Sequence, residues 1–191
     1  MSAAEIERRP GCSAELPKIH GPTHRYIGAS PACWRIFSDL LNAGEPPLAP
    51  APTNALIGDA YAAQHPGTPS DQAIQSVAVH LLVLHGVLAR GVAPSSALWV
   101  RRRGLRDKGT PKRGRYRWLD PPSFDGSPNV SYVAAGPDPV ARAARAREYV
   151  EGVWGVWEAE HARTLSDWYD AFVVADDLYP NLPSGFRASL A

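Results

Sequence analysis

Ser70-Asp71-Gln72-Ala73-Ile74-Gln75-Ser76-Val77-Ala78-Val79-His80-Leu81-Leu82-Val83-Leu84-His85-Gly86-Val87-Leu88-Ala89-Arg90-Gly91 is the stretch on which the fold turns. Ile74, Val77, Ala78, Leu81, Leu84 and Leu88 recur at helical spacing, and Val79, Leu82, Val83 and Val87 cover the remaining faces. Ser70 or Asp71 supplies the cap, and Gly91 stands just past the end. A helix that is apolar all round belongs at the centre of a fold, with the other elements packed about it. Its most apolar part, 77–88, holds two histidines and is too short to span a bilayer, so a buried helix is expected rather than a membrane anchor.

Working outward, the chain just before it reads Asp59-Ala60-Tyr61-Ala62-Ala63-Gln64-His65-Pro66, the last turns of a helix that starts at Thr53 or Asn54. Tyr61 and His65 are one turn apart and share a face. Pro66 stops the helix, which leaves the imidazole of His65 at a carbonyl-rich, negative end. Farther upstream, 44–52 is a stiff Pro-rich loop. Pro31 suits a first helical position, with Ile36, Phe37, Leu40 and Leu41 at helical spacing after it. Residues 1–30 carry no period and read as an irregular N-terminal wrap.

Downstream, 95–103 is expected as a short helix, and 104–137 forms a loop rich in Gly, Pro and Arg. Within that loop 116–122 and 129–133 are weak candidates for extended chain. Asp138-Pro139 then opens a long helix, ending near 172–175, whose stripe is Val150, Val153, Trp154, Trp157, His161, Leu165, Trp168 and Phe172. The expected architecture is one mostly α domain spanning 1–191: an irregular bundle of four to five helices with long Pro-rich loops and at most a short β element. Its parts are the wrap at 1–30, a helical core at 31–103, the basic loop at 104–137, the Trp-rich helix at 138–176 and a tail at 177–191.

Composition narrows the functions. Hydrophobic residues make up 45% of the chain and charged ones 20%, as in folded globular proteins. A net charge of +1 supplies no global pull toward nucleic acid or membrane. Two cysteines are too few for a disulfide scaffold, and the polar N-terminus lacks the apolar core of a signal peptide, so the cytoplasm is the expected compartment. No P-loop, Gly-x-Gly-x-x-Gly, Gly-x-Ser-x-Gly or His-Glu-x-x-His motif occurs, which removes common nucleotide hydrolases, Rossmann enzymes, serine hydrolases and zinc proteases.

Three blocks, Pro10-Gly11-Cys12-Ser13, Gly28-Ala29-Ser30-Pro31-Ala32-Cys33-Trp34 and Asp59 to Gly67, resemble an uncharacterised bacterial family of unknown function. That family pairs an N-terminal Cys-Pro-x-Cys-Gly element with a helix-opening Cys and a Gln-His-Pro helix end. The similarity extends to Gln75-Ser76-Val77-Ala78-Val79-His80-Leu81, to Trp118-Leu119-Asp120-Pro121-Pro122 and to the Trp-rich last helix, and it implies no known activity. Arg9 stands where the family's first cysteine falls. If the family site is a three-cysteine, one-histidine zinc site, this chain retains Cys12, Cys33 and His65 and lacks one ligand.

Several site readings stay open at this level. Cys12, Cys33 and His65 offer soft and nitrogen donors for zinc or another divalent transition metal, with His24 or water in the fourth place. Their bland alternative is two ordinary cysteines and a capping histidine. His80 and His161, both expected to point inward, form an alternative metal set with His65. Cys33, near a helix start, is a candidate thiol nucleophile with His24 or His65 as base. Asp59 and Glu158 are candidate proton carriers beside a metal, and Tyr61, Gln64 and Trp157 candidate pocket residues for a small molecule. The aromatic and basic run at 99–118, with Arg101, Arg102, Arg103, Arg113 and Arg115, is a candidate surface for nucleic acid or another acidic partner.

Overall fold

The computed structural model describes residues 5–8, 11–42, 53–105 and 115–174. In chain order these form β1 (Ile6–Arg8), β2 (Glu15–Pro17), α1 (Pro31–Asn42), α2 (Thr53–Gln64), α3 (Asp71–Leu84), α4 (Ala97–Leu105), α5 (Val130–Ala134) and α6 (Pro139–Tyr169). The molecule is mostly helical, and among the described residues its β structure is the one antiparallel pair β1–β2, in the register Ile6 to Pro17 and Arg8 to Glu15.

The caps explain where the helices start. Ser70 accepts from the Ala73 N–H at the head of α3, and Asp138 accepts from the Ala141 N–H at the head of α6 with Pro139 behind it. Both long helices finish in a wider π-helical turn, His85–Ala89 after α3 and Asp170–Val174 after α6. Gly91, at φ +67, then turns the chain away.

Helix α3 is the hub, packed against α2, α4 and α6. Leu81, Leu82, Val83 and Leu84 are all 0% exposed, so in its last turn every face of the helix meets protein. By length and composition Asp71–Ala89 is apolar enough to cross a membrane, and its mostly buried course through the core accounts for that apolarity. From α6, Tyr149, Val153, Trp157, Leu165 and Tyr169 complete one continuous core.

The local expectations are met in part. Within the otherwise irregular N-terminal stretch β1 and β2 form a short antiparallel pair; strands of three residues are too short to show a period. The segment at 129–133 is not extended. Asn129 takes a β conformation and accepts from the N–H groups of Ser131 and Tyr132, which caps α5. The Tyr116 to Pro122 stretch carries no strand, whereas the short helix expected at 95–103 is present as α4, led in by a 3₁₀ turn, Pro94–Ser96.

Candidate metal centre

The site is built from three chain segments that glycines allow to meet. Helix α1 begins with Ser30, whose hydroxyl accepts from the Cys33 N–H at 3.1 Å, so Cys33 sits in the first turn with its thiol close to the positive helix end. Helix α2 ends at Gln64, and Pro66 lets it go no farther. Between them the Gly28 N–H donates to the His65 carbonyl at 2.9 Å. A Cβ on Gly28 would lie 2.6 Å from the Gly67 Cα, an approach open only to glycine. The third segment is the turn between β1 and β2, where Gly11 at φ +96 rests against the Gln64 carbonyl. Ser13, at φ 54, is the one non-glycine with positive φ among the described residues. Cys12 lies between them, facing inward at 0% exposure.

Cys12, Cys33 and His65 converge, and their ligand atoms all lie within 4.8 Å of one another. The His65 Nδ1 is 2.8 Å from the Tyr61 carbonyl oxygen, and a carbonyl only accepts, so Nδ1 carries the proton. In the neutral ring the lone pair then belongs to Nε2, which lies 3.4 Å from Cys33 Sγ. A tetrahedral zinc ion with ordinary Zn–S and Zn–N bonds separates such an S and N by about 3.6 Å. Fixing one imidazole nitrogen on a carbonyl so that the other faces a metal is a recurrent arrangement in metal sites. The donor set therefore suits a borderline-soft divalent ion.

The electrostatics agree with the geometry. A hydrogen bond from the Cys33 thiol holds Cys12 well below the ordinary thiol range, burial opposes this, and His65 and the Ala14 N–H add to the lowering. Two buried phenols stand near the sulfurs. Tyr61 is raised by burial and by the neighbouring Cys33, and Tyr149 by burial and then by Cys33 and Cys12, so both stay neutral. The Tyr61 ring also stacks on Phe37 with centroids 3.9 Å apart. Outside Cys12, an open groove of ≈ 590 Å³ runs over Gly11 and Ser13, walled by Arg8, Pro122, Phe124 and Asp125.

The remaining candidates are placed elsewhere. His24 packs its ring against Tyr26 and Trp34. His80 and His161 do not come to His65: His80 pairs with Asp59 at 2.6 Å, and His161, half-buried rather than core, reaches the Asp120 carbonyl at 2.9 Å. Asp59 also takes Arg101, and Glu158 lies on the exposed face of α6, so neither carboxylate belongs to the Cys/His group. Gln64 donates to the Pro128 carbonyl, and the Trp157 indole N–H donates to the Ala63 carbonyl at 3.1 Å, which fastens α6 to the end of α2. Cys33 is 0% exposed, which denies a substrate the access that a thiol nucleophile needs.

Among the basic residues, Arg103 is buried and donates to the Val173 carbonyl, Arg102 is exposed, and Arg115 lies over the Phe172 ring at 4.3 Å. Arg9 and Arg113 lie outside the described residues. Sequence reasoning missed the pairing of Asp59 with His80 and Arg101, because nothing in a sequence says which helix faces will meet. The closely packed pair Gly28 and Gly67 was equally silent, since a loop glycine serves many ends.

A helical domain with a Cys₂His cluster, three segments meeting at one buried point, is the class that fold and site define. Residues 7–158 match the family model described as a family of unknown function, DUF5946, and the chain belongs to that family. Comparison with curated proteins and with solved structures finds no match.

Proposed function

We propose that this chain is a metal-binding protein in which Cys12, Cys33 and His65 hold one divalent transition ion, zinc being the best fit to the donor set. The observation that carries the reading is the His65 ring. Its Nδ1 is committed to the Tyr61 carbonyl, and its Nε2 is turned onto the sulfur atoms inside the protein, 3.4 Å from Cys33 Sγ, instead of onto water. Burying a thiolate-prone sulfur, Cys12, beside a second sulfur and an imidazole carries a desolvation cost that packing alone does not offset. It becomes favourable when a cation takes the electron pairs.

The ion would join the β1–β2 turn, the start of α1 and the end of α2, and would leave a fourth position for water or a small ligand. Asp59 and Glu158 have no part in this proposal, because the first is saturated by His80 and Arg101 and the second faces solvent. The test is metal analysis of the untagged protein purified without added metal. One equivalent of a transition metal is expected, falling below about a tenth of an equivalent in His65→Ala, since losing one of three protein ligands removes much of the affinity. A wild-type chain that carries no metal and takes up none from a zinc buffer would overturn the reading.

A further inference from the structure

A second cluster lies away from the cysteines, where α2, α3 and α4 meet. Asp59 is 0% exposed, and its carboxylate accepts from His80 Nδ1 at 2.6 Å and from Arg101 Nη2 at 2.7 and 2.9 Å. A carboxylate accepts, so the His80 proton sits on Nδ1 and the lone pair of the neutral ring falls to Nε2. The two partners of Asp59 are not sealed in: the His80 side chain is 22% exposed and that of Arg101 31%. Arg101 reaches Asp59 through Nη2, and its Nε is buried without a partner. His80 and Arg101 share the same oxygen of Asp59, which sets them side by side. On the outer face of α4, Leu98 and Leu105, each about one turn from Arg101, expose 53% and 45% of their surface and give the spot an apolar border.

We propose that Asp59, His80 and Arg101 form a binding site separate from the metal centre: an imidazole base beside a guanidinium, built for a small oxyacid. The acid's O–H meets Nε2 of His80, and its neighbouring oxygen meets Arg101. When the proton passes from that O–H to Nε2, the ring becomes an imidazolium whose Nδ1–H still faces the Asp59 carboxylate. The negative charge left on the ligand oxygen faces Arg101, and no other bond changes. A buried carboxylate that holds one imidazole tautomer with the opposite nitrogen reachable is the arrangement used by positioned general bases. Asp59 is the positioning residue; His80 and Arg101 touch the ligand. A strut that merely ties three helices together does not need both partners of the carboxylate to reach solvent.

Inorganic phosphate, which carries both an O–H and charged oxygens, is the probe, and the protein is the full chain. Nitrogen NMR of the histidine side chains reads the tautomer; acylation by diethyl pyrocarbonate, mapped by mass spectrometry, reads the Nε2 lone pair against the exposed His20. Wild type is expected to show a bare Nε2 on His80 and protection of His80 from acylation by millimolar phosphate. Arg101→Gln should abolish that protection. Asp59→Asn should lose the fixed tautomer and slow His80 acylation by about tenfold. A proton on Nε2 in the wild type, absence of phosphate protection, or protection unchanged in Arg101→Gln would each overturn the proposal. The first two readouts need only the wild-type protein, so they stand even if Asp59→Asn does not fold. None depends on the metal, so failure of the metal reading leaves this one intact.

Discussion

His65 shows how far one residue's surroundings can fix its chemistry. Its backbone N–H and its ring Nδ1 both meet the Tyr61 carbonyl, at 3.2 and 2.8 Å, so main chain and side chain are held by one acceptor. The order Gln64-His65-Pro66 made this end of the helix legible in advance, because proline dictates where the helix stops and a histidine there faces free carbonyls. What the order does not contain is the company: Cys12 and Cys33 arrive from loops whose paths depend on Gly28 and Gly67. Gly28→Ala tests that dependence. The added methyl would press on the Gly67 backbone, and displacement of the Gly28 N–H would free the His65 carbonyl. A loss of about 1–3 kcal/mol is expected in urea unfolding, together with weaker metal retention. Wild-type stability and metal content in this variant would show that the close approach is unimportant.

At the scale of elements, the ends of α3 and α6 carry a titration. His85 opens the π-helical turn after α3, with its ring against Trp154 and Tyr169 and its Nε2 accepting from Arg90 Nε at 3.1 Å. Burial, and then the charge of Arg90, hold this imidazole below its ordinary 6.5, at about 4. The unfolded chain therefore takes up a proton on His85 as pH falls through 6.5, while the folded chain declines it until about 4. The stabilisation is complete above pH 6.5 and drains away below it, by about 2–3 kcal/mol at pH 4.5. Urea unfolding at pH 7 and pH 4.5 checks this: wild type should lose that much more than His85→Gln. Equal losses in the two proteins would refute it.

The elements also show what a sequence makes plain and what it hides. Helices α3 and α6 announced themselves through long apolar stripes and the caps Ser70 and Asp138, because burial imposes its period over many turns. Helix α5 did not. Its five residues include two valines that fit a strand equally well, and the deciding feature was the single Asn129 cap. The place of His80 among valines and leucines predicts an inward ring, and Asp59 is a residue type that can orient an imidazole, yet the two lie on different helices and nothing in the sequence pairs them.

For the whole molecule, the metal reading makes stability a property of the loaded protein. An ion held by the N-terminal turn, α1 and α2 ties segments far apart in sequence, and such binding free energy is folding free energy. Adding zinc at a hundredfold excess over its dissociation constant should stabilise the metal-free chain by about 2.7 kcal/mol. Thermal scans before and after chelation, and after zinc is restored, check this through a reversible shift of the midpoint. A midpoint indifferent to chelator and zinc would mean that the core clusters around α3 hold the fold without the centre. Family membership adds no chemistry here, since the family's function is itself unknown, so the reading rests on the geometry of this chain.

X-ray absorption at the zinc edge of the untagged, purified protein tests the centre most directly. Two sulfur atoms at about 2.3 Å and an imidazole nitrogen at about 2.0–2.1 Å are expected around the ion. A shell of oxygen and nitrogen alone, with no sulfur scattering, would place the ion elsewhere and contradict the assignment of Cys12, Cys33 and His65.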